Sequence, residues 1–498
     1  MPITILFFWL SASAASTAEF AFCGGRDTLA APGSADEATP ADPRPGRNRM
    51  SNASAERAMT NFQRFAYAVG NFGVGLLPSI IASWAMYYYA PGEEDRSCLI
   101  AYVPMSLIGV MLAVGRVAEA LLNPFIGDWS DKTVSRWGRR IPYIIIGTPI
   151  MVLAMILIWF PPVRGESLVN AAWVCFWMTV LSCAFAAVVA PYLSLLPELT
   201  PYNGERLLLS SLMALFEVLG VLVAAAGAGL LIGAYKCGVF GFGAQEFNGF
   251  MLAGIIFGLA SLVAFWITGF AIREKPYTPA KQVTFAFAAG AKEVMKNDAF
   301  RPYLALVTFF RIGIDMVVVV IPYMATIVMG GTENDAAIAQ IIVLVGAVAL
   351  FPLVNKLSLT HGKKRVTLWG VFGFVAILPL MFLIDKIPGL SPMAFGYIIF
   401  ALATFPVAVF NVLPRPLLAD IIDNDETITG MRREAMYNGM EGLFTRSASG
   451  FAWVLSSALF AAFGYSSSQP LGILLVGPVG GALLFVGAWL FRKYPFRT

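Results

Sequence analysis

The chain has 498 residues, of which 58% are hydrophobic and 13% charged, with a formal net charge of +4 at pH 7 and a mean hydropathy of +0.73. Soluble domains are roughly a quarter charged, so these residues cannot cover a water-facing surface, and lipid must be part of the solvent. The cysteines (Cys23, Cys98, Cys175, Cys183, Cys237) show no metal-ligand spacing and the lone histidine, His361, lies in a basic stretch, which leaves metal centres and histidine chemistry almost nothing to use.

Residues 1–49 stand apart. Ile3 to Leu10 is apolar and an Ala-Ser-Ala-Ala run follows, but no cation precedes it, as a secretory signal would need. Gly24 to Arg49 is rich in Pro, Gly, Ala and charge, a disorder-type composition. Two readings stay open for this segment: an extension ahead of a later start at Met50 or Met59, or a disordered tail.

A membrane-spanning helix needs about 20 mostly apolar residues. Such runs fall at 62–89, 99–125, 141–160, 168–196, 207–233 and 249–272, then at 299–329, 335–355, 365–385, 391–419, 436–463 and 470–491. Between the two sets of six lies the longest internal polar stretch, Arg273 to Asn297. The expected organisation is therefore an all-α membrane protein of about twelve helices, with six-helix bundles at 50–272 and 299–498 and a linker at 273–298. Cys175 and Cys183 share one apolar run and read as buried thiols.

Lysine and arginine mark the cytoplasmic side of a membrane protein. With the start of the first helix inside, the inner loops take Lys132, Arg136, Arg139 and Arg140, the linker cations, Lys356, Lys363, Lys364 and Arg365, and Arg415, Arg432 and Arg433. The outer loops keep only Arg96, Arg164, Lys236 and Lys386. Both termini are expected in the cytoplasm, with the protein in the inner or plasma membrane. The halves also echo one another: Trp137-Gly138-Arg139-Arg140 follows the second helix, and His361-Gly362-Lys363-Lys364-Arg365 follows the eighth. Duplicated halves suit an alternating-access transporter.

A charged group inside a spanning helix costs roughly 2.5–3.5 kcal/mol on insertion scales, so those present usually have a task. They are Arg116, Glu119, Glu217, Arg311, Asp315, Glu441 and Arg446. Arg116 and Glu119 are three apart and Arg311 and Asp315 four apart, so each pair shares a helical face. Asn123 lies one turn beyond Glu119, and a carboxylate and a carboxamide so spaced suit a small cation or a proton. Pro78, Pro191, Pro197, Pro406, Pro414 and Pro416 interrupt apolar helices, as residues lining a cavity often do. The small residues Ala224 to Gly229 permit close helix approach.

From Gly115 to Arg140 the chain reads GRVAEALLNPFIGDWSDKTVSRWGRR. This resembles the second helix and following loop of the glycoside-pentoside-hexuronide:cation symporter family, within the major facilitator superfamily. Gly127, Asp131, Gly138, Arg139 and Arg140 fall on the superfamily's loop signature. Pro191-Tyr192, Asn297 to Phe300, and Asp420 to Asp423 running on to TGMRREAM from Thr429 agree with the same family. Two of its branches compete. The two aspartates that bind sugar in melibiose symporters match Gly75 and Val189 here, and their Asp-x-x-Asn-Asp cation motif matches Glu119, Leu122 and Asn123. In contrast, GTPIMVLAMILIWFPP from Gly147 and REAMYNGMEGLFTRSASG from Arg433 are similar to the lysophospholipid symporters, with Arg446 where those carry a lysine.

The resemblance implies two pseudo-symmetric six-helix bundles and a cation-coupled symporter for a glycoside or a lysolipid-type amphiphile, driven by H+ or Na+. The departures at Glu119 and Asn123 favour H+. It implies coupling at Glu119, with Arg116 and Asn123 beside it, and substrate contact at Arg446 with Glu441. Asp131, Gly127, Arg139 and Arg140 would form a latch, and Arg311 and Asp315 a gate or packing pair. No catalytic or metal site, cofactor, nucleic acid or second subunit is expected. A non-transporting membrane sensor or facilitator on the same fold is the alternative.

Overall fold

A chain in lipid must satisfy its backbone polar groups within its own segment, which favours helices throughout. A computed structural model describes residues 59–133, 135–199, 203–239, 243, 246–274, 287–431 and 433–496; the expectations for residues 1–49 lie outside them. The long helices are α1 (Asn61–Tyr89), α2 (Met105–Lys132), α3 (Ile141–Ile158), α4 (Leu168–Ser194) and α6 (Gly249–Ala271). Between the last two, α5 runs from Asn203–Leu222 through a π-helical turn, Val223–Gly227, into Ala228–Tyr235. The second set is α7 (Phe300–Val328), α8 (Glu333–His361), α9 (Lys363–Leu383), α10 (Pro392–Thr429), α11 (Glu434–Phe463) and α12 (Leu471–Phe491).

Among the described residues, eleven helices are long and apolar enough to cross a bilayer. The twelfth, α11, has the length at 30 residues, about 45 Å at 1.5 Å per residue. Its apolar character is diluted by Glu434, Glu441, Arg446, Ser447, Ser449, Ser456 and Ser457.

Several boundaries differ from the sequence reading. The second helix begins at Met105 rather than 99, because the chain first makes a 3-10 turn at Glu93–Ser97, and it continues to Lys132. The tenth runs to Thr429 rather than 419, broken at Leu413 where Pro414 restarts the helix and supplies no backbone N–H. The polar linker contains a short helix, Phe287–Val294.

Local chemistry sets the other ends. Thr60 and Gln63 form a reciprocal capping box at the start of α1, at 3.2 and 3.0 Å. Asn248 caps α6 through the N–H groups of Phe250 and Met251. Gly362, at φ +85°, turns α8 into α9, a conformation open to glycine. The π-helical turn of α5 falls inside the small-residue run, where helix geometry is most easily distorted.

Packing is dense within α1–α6 and within α7–α12; across the halves, α2 meets α11, α1 meets α7 and α5 meets α8. These crossings gather at the end opposite the start of α1. There Gly229 and Gly233 of α5 press against Ala337 and Asn334 of α8, Ser83 donates to Gln340 at 3.2 Å, and Tyr323 donates to the Ala90 carbonyl at 2.9 Å. Toward the other end open space lies beside both helices: a Cβ added at Gly127 of α2 or at Gly442 of α11 would meet nothing within 4 Å.

Candidate functional site

Midway along the α2–α11 contact the two halves share one carboxylate. Glu119 is 2% exposed. Its Oε2 accepts from Arg116 of its own helix at 3.0 Å, and its Oε1 pairs with Arg446 of α11 at 3.1 Å. The i,i+3 spacing sets the first contact. The second arises because α2 and α11 lie close just beyond it, where Gly109 packs on Trp453 and Ser457, and Gly450 on Ala113. Trp453 also takes the Arg116 guanidinium over its ring, 5.1 Å from the centroid, an arrangement that favours a partly desolvated cation.

A third guanidinium stands near. Arg311 of α7 pairs with Asp315 at 2.7 Å and donates to Ser449 of α11 at 3.0 Å, and both Arg116 and Arg311 lie close enough to act on the charge of Arg446. Three guanidiniums thus meet two carboxylates, an excess of one positive charge. Glu119 and Asp315 are buried, whereas Arg446 and Arg311 have side chains 34% and 44% exposed. The accessible chemistry is therefore cationic, suited to a phosphate or carboxylate. Beside Glu119 a small cavity is lined mostly by apolar groups, among them Leu77, Pro78, Ile81, Met178 and Phe185.

The remaining sequence candidates are placed as follows. Asn123 turns its amide onto the Glu119 backbone carbonyl at 3.0 Å, rather than onto its carboxylate. Glu441 is not beside Arg446; it neighbours Tyr303 of α7, with the Arg415 charge nearby. Arg139 reaches Glu274 at 3.4 Å, and the same carboxylate accepts the Arg140 backbone N–H at 2.9 Å. Asp131 lies in the last turn of α2, and its side chain is outside the described residues. Gly75 packs against the Glu217 backbone and Val189 is buried.

Sequence reasoning missed a second charged cluster, at the far end. Lys236, just past α5, pairs with Asp95 of the α1–α2 loop and, at 2.5 Å, with Glu333 at the start of α8. The Tyr87 hydroxyl donates to Asp95 and lies 3.1 Å from a Glu333 carboxylate oxygen. A disulfide between Cys98 and Cys237 ties the two loops together next to Lys236. The available signal was that both cysteines fall in loops assigned to the same side. Cys175 and Cys183 are free and half-buried.

The fold matches solved transporters. The nucleoside transporter NupG aligns at a TM-score of 0.62 over 88% of this chain and 100% of that one, at 9% identity. A bacterial homologue of the human lysosomal transporter Spinster, in an inward-facing and occupied conformation, gives 0.63 over 91% and 97%, at 12% identity. By sequence, the chain is 26% identical to the sodium-dependent lysophosphatidylcholine symporter 1 of Xenopus tropicalis, over 80% of this chain and 82% of that protein. It is 23% identical to the isoprimeverose transporter of Lactiplantibacillus pentosus, over 86% and 88%. These likenesses agree with a cation-coupled symporter, integral to the membrane, for sugar- or lysolipid-type solutes. A family model described as MFS/sugar transport protein matches residues 66–497, and the protein belongs to that family.

Proposed function

We propose that the solute is an amphiphile whose head carries a phosphate, of the lysophospholipid type, and that it is carried by an exchange of ion-pair partners at Glu119. The observation that carries this reading is the Glu119–Arg446 pair across the halves, with Glu119 buried and Arg446 partly accessible. A phosphate offers a guanidinium two parallel charge-assisted hydrogen bonds. When Arg446 turns to the head group, Glu119 keeps Arg116 alone and is free to take up the coupling cation. Substrate and cation then bind together, because each removes a competitor of the other.

The cation on this reading is a proton. Glu119 is the only carboxylate of the midplane stretch of α2 and is already held by two guanidiniums, which is a poor oxygen cage for sodium. The relatives named as sodium-dependent make a sodium gradient at constant pH the necessary control. A glycoside is the second reading, favoured by the isoprimeverose relative, although neither Gly75 nor Val189 offers the acidic group that sugar recognition in melibiose symporters would require.

The basic loops support cytoplasmic termini in an inner or plasma membrane. On that orientation the far-end contacts close the outside, and the open space beside α2 and α11 faces inward. Arg139 and Arg140 on Glu274, with Asp131 and Gly127 nearby in sequence, are proposed as the inner latch; Arg311 and Asp315 are proposed to flank the head-group site.

Uptake into proteoliposomes tests this directly, with lysophosphatidylcholine and a glycoside panel under a pH gradient or a sodium gradient. The expected result is lysophosphatidylcholine accumulation driven by pH and lost in Arg446→Gln. Glycoside accumulation unaffected by Arg446→Gln would overturn the substrate; accumulation that follows sodium at constant pH would overturn the proton.

A further inference from the structure

One intramembrane acid takes no part in that exchange. Glu217 sits on α5, where Ser210, Ser211, Ala214 and Glu217 recur along one face and Leu208, Leu212, Leu215 and Leu219 along another. The buried face of α5, with Leu209, Met213 and Gly220, lies beside that stripe, and Glu217 is half-buried at its edge. Among the described residues no lysine or arginine pairs with Glu217. Its polar neighbour is Asn71 of α1, 4% exposed.

The hydrogen bonds of Asn71 define what is missing. Its Nδ2 donates to Glu217 Oε2 at 3.0 Å and to the Met213 carbonyl at 2.9 Å, which uses both amide hydrogens. Its Oδ1 is buried without a donor among the described residues. Turning the amide over would set Oδ1 against two acceptors, so the partners fix the orientation. Tyr192 of α4 also lies close to Glu217, and its hydroxyl is already donated to the Tyr67 carbonyl at 2.8 Å. A half-buried carboxylate and a buried amide with an unpaired oxygen therefore lie side by side, and among the described residues no lysine or arginine answers them. The spot is rigid, because Gly75 lets α1 rest directly on the Glu217 carbonyl and Gly220 lets α5 rest on that of Phe72.

We propose that Asn71 and Glu217 form a sodium site between α1 and α5, separate from Glu119. Hard oxygen donors select a hard cation, and a single carboxylate balances a monovalent one. At Glu119, by contrast, two guanidiniums already occupy the carboxylate and repel a metal ion. The site does not depend on the identity of the solute or on proton coupling at Glu119.

The test is thermal unfolding of the purified full chain in sodium chloride and in choline chloride, at equal ionic strength and pH. Sodium should raise the unfolding temperature of the wild type and of Glu119→Gln alike. Glu217→Gln still accepts from the Asn71 amide, so it should fold but need about tenfold more sodium, or more, for the same shift. Glu217→Asp keeps the charge at shorter reach and should retain part of the response. Should Glu217→Gln fail to purify folded, Asn71→Ser, which removes Oδ1 and leaves a hydroxyl to donate to Glu217, should weaken the sodium response instead. An absent sodium shift in the wild type, a shift lost in Glu119→Gln, or an undiminished one in Glu217→Gln or Asn71→Ser would overturn the assignment.

Discussion

Two charged clusters join the halves of this molecule, and they are built with opposite polarity. At the midplane a buried carboxylate, Glu119, lies between guanidiniums from α2 and α11. At the far end a lysine, Lys236, lies between carboxylates from the α1–α2 loop and α8. The far-end cluster is braced by Tyr87 and by the Cys98–Cys237 disulfide; the midplane one borders a small cavity and keeps an accessible cation. A partner that must leave and return needs access and a competitor, whereas a closure needs bracing. On the proposed reading the first cluster is the exchanger and the second the outer lock.

Removing the lock's cation should have the largest effect on the comparison. Lys236→Met leaves Asp95 and Glu333 facing each other, and breaking a buried ion pair costs about 3–5 kcal/mol. The far end should open, seen as faster labelling of a reporter cysteine there, while lysolipid affinity at the midplane stays within about twofold. Cutting the brace is the next smaller change. Cys98→Ser with Cys237→Ser removes a link closing a long loop, worth about 2–4 kcal/mol in soluble proteins, and less where lipid already confines the unfolded chain. Transport should persist, with a lower unfolding temperature and a more accessible Lys236.

The smallest expected effect is that of pH on the lock. Burial alone would lower the Lys236 pKa, but hydrogen bonds and attraction to Asp95 and Glu333 outweigh it and raise the value above the ordinary 10.5. A lysine raised on folding contributes its stability in full below the unfolded value and loses it only as pH climbs through the folded one. Far-end labelling should thus be flat between about pH 6 and 8. A steep change in that range would place the pH response in the lock rather than at the midplane.

The helices were legible because lipid imposes a length and a composition on each one. α11 was legible despite its serines and charges, since its second half from Ala448 to Phe463 remains apolar. The fracture at Leu413 was signalled by Pro414 and Pro416, yet the acidic run beyond it hid the continuation to Thr429. Arg116 with Glu119 and Arg311 with Asp315 could be paired because helical spacing is local. The Arg446–Glu119 pair could not, because it depends on how α11 crosses α2. The same holds for Lys236, which reads in sequence as one stray loop cation, and for Cys98 and Cys237, which lie 139 residues apart. Glu441 was grouped with Arg446 by nearness along the chain, but five residues on a helix bring it round to Tyr303 instead.

The most direct test of the central claim is lysophosphatidylcholine affinity as a function of pH, measured on the wild type and on Glu119→Gln. If Glu119 competes with the head group for Arg446, wild-type affinity tightens as pH falls and the competitor is neutralised. Glu119→Gln should then bind as tightly as the wild type at low pH and show no pH dependence. A weaker Glu119→Gln, or one that keeps the wild-type slope, would contradict the exchange of partners at Glu119.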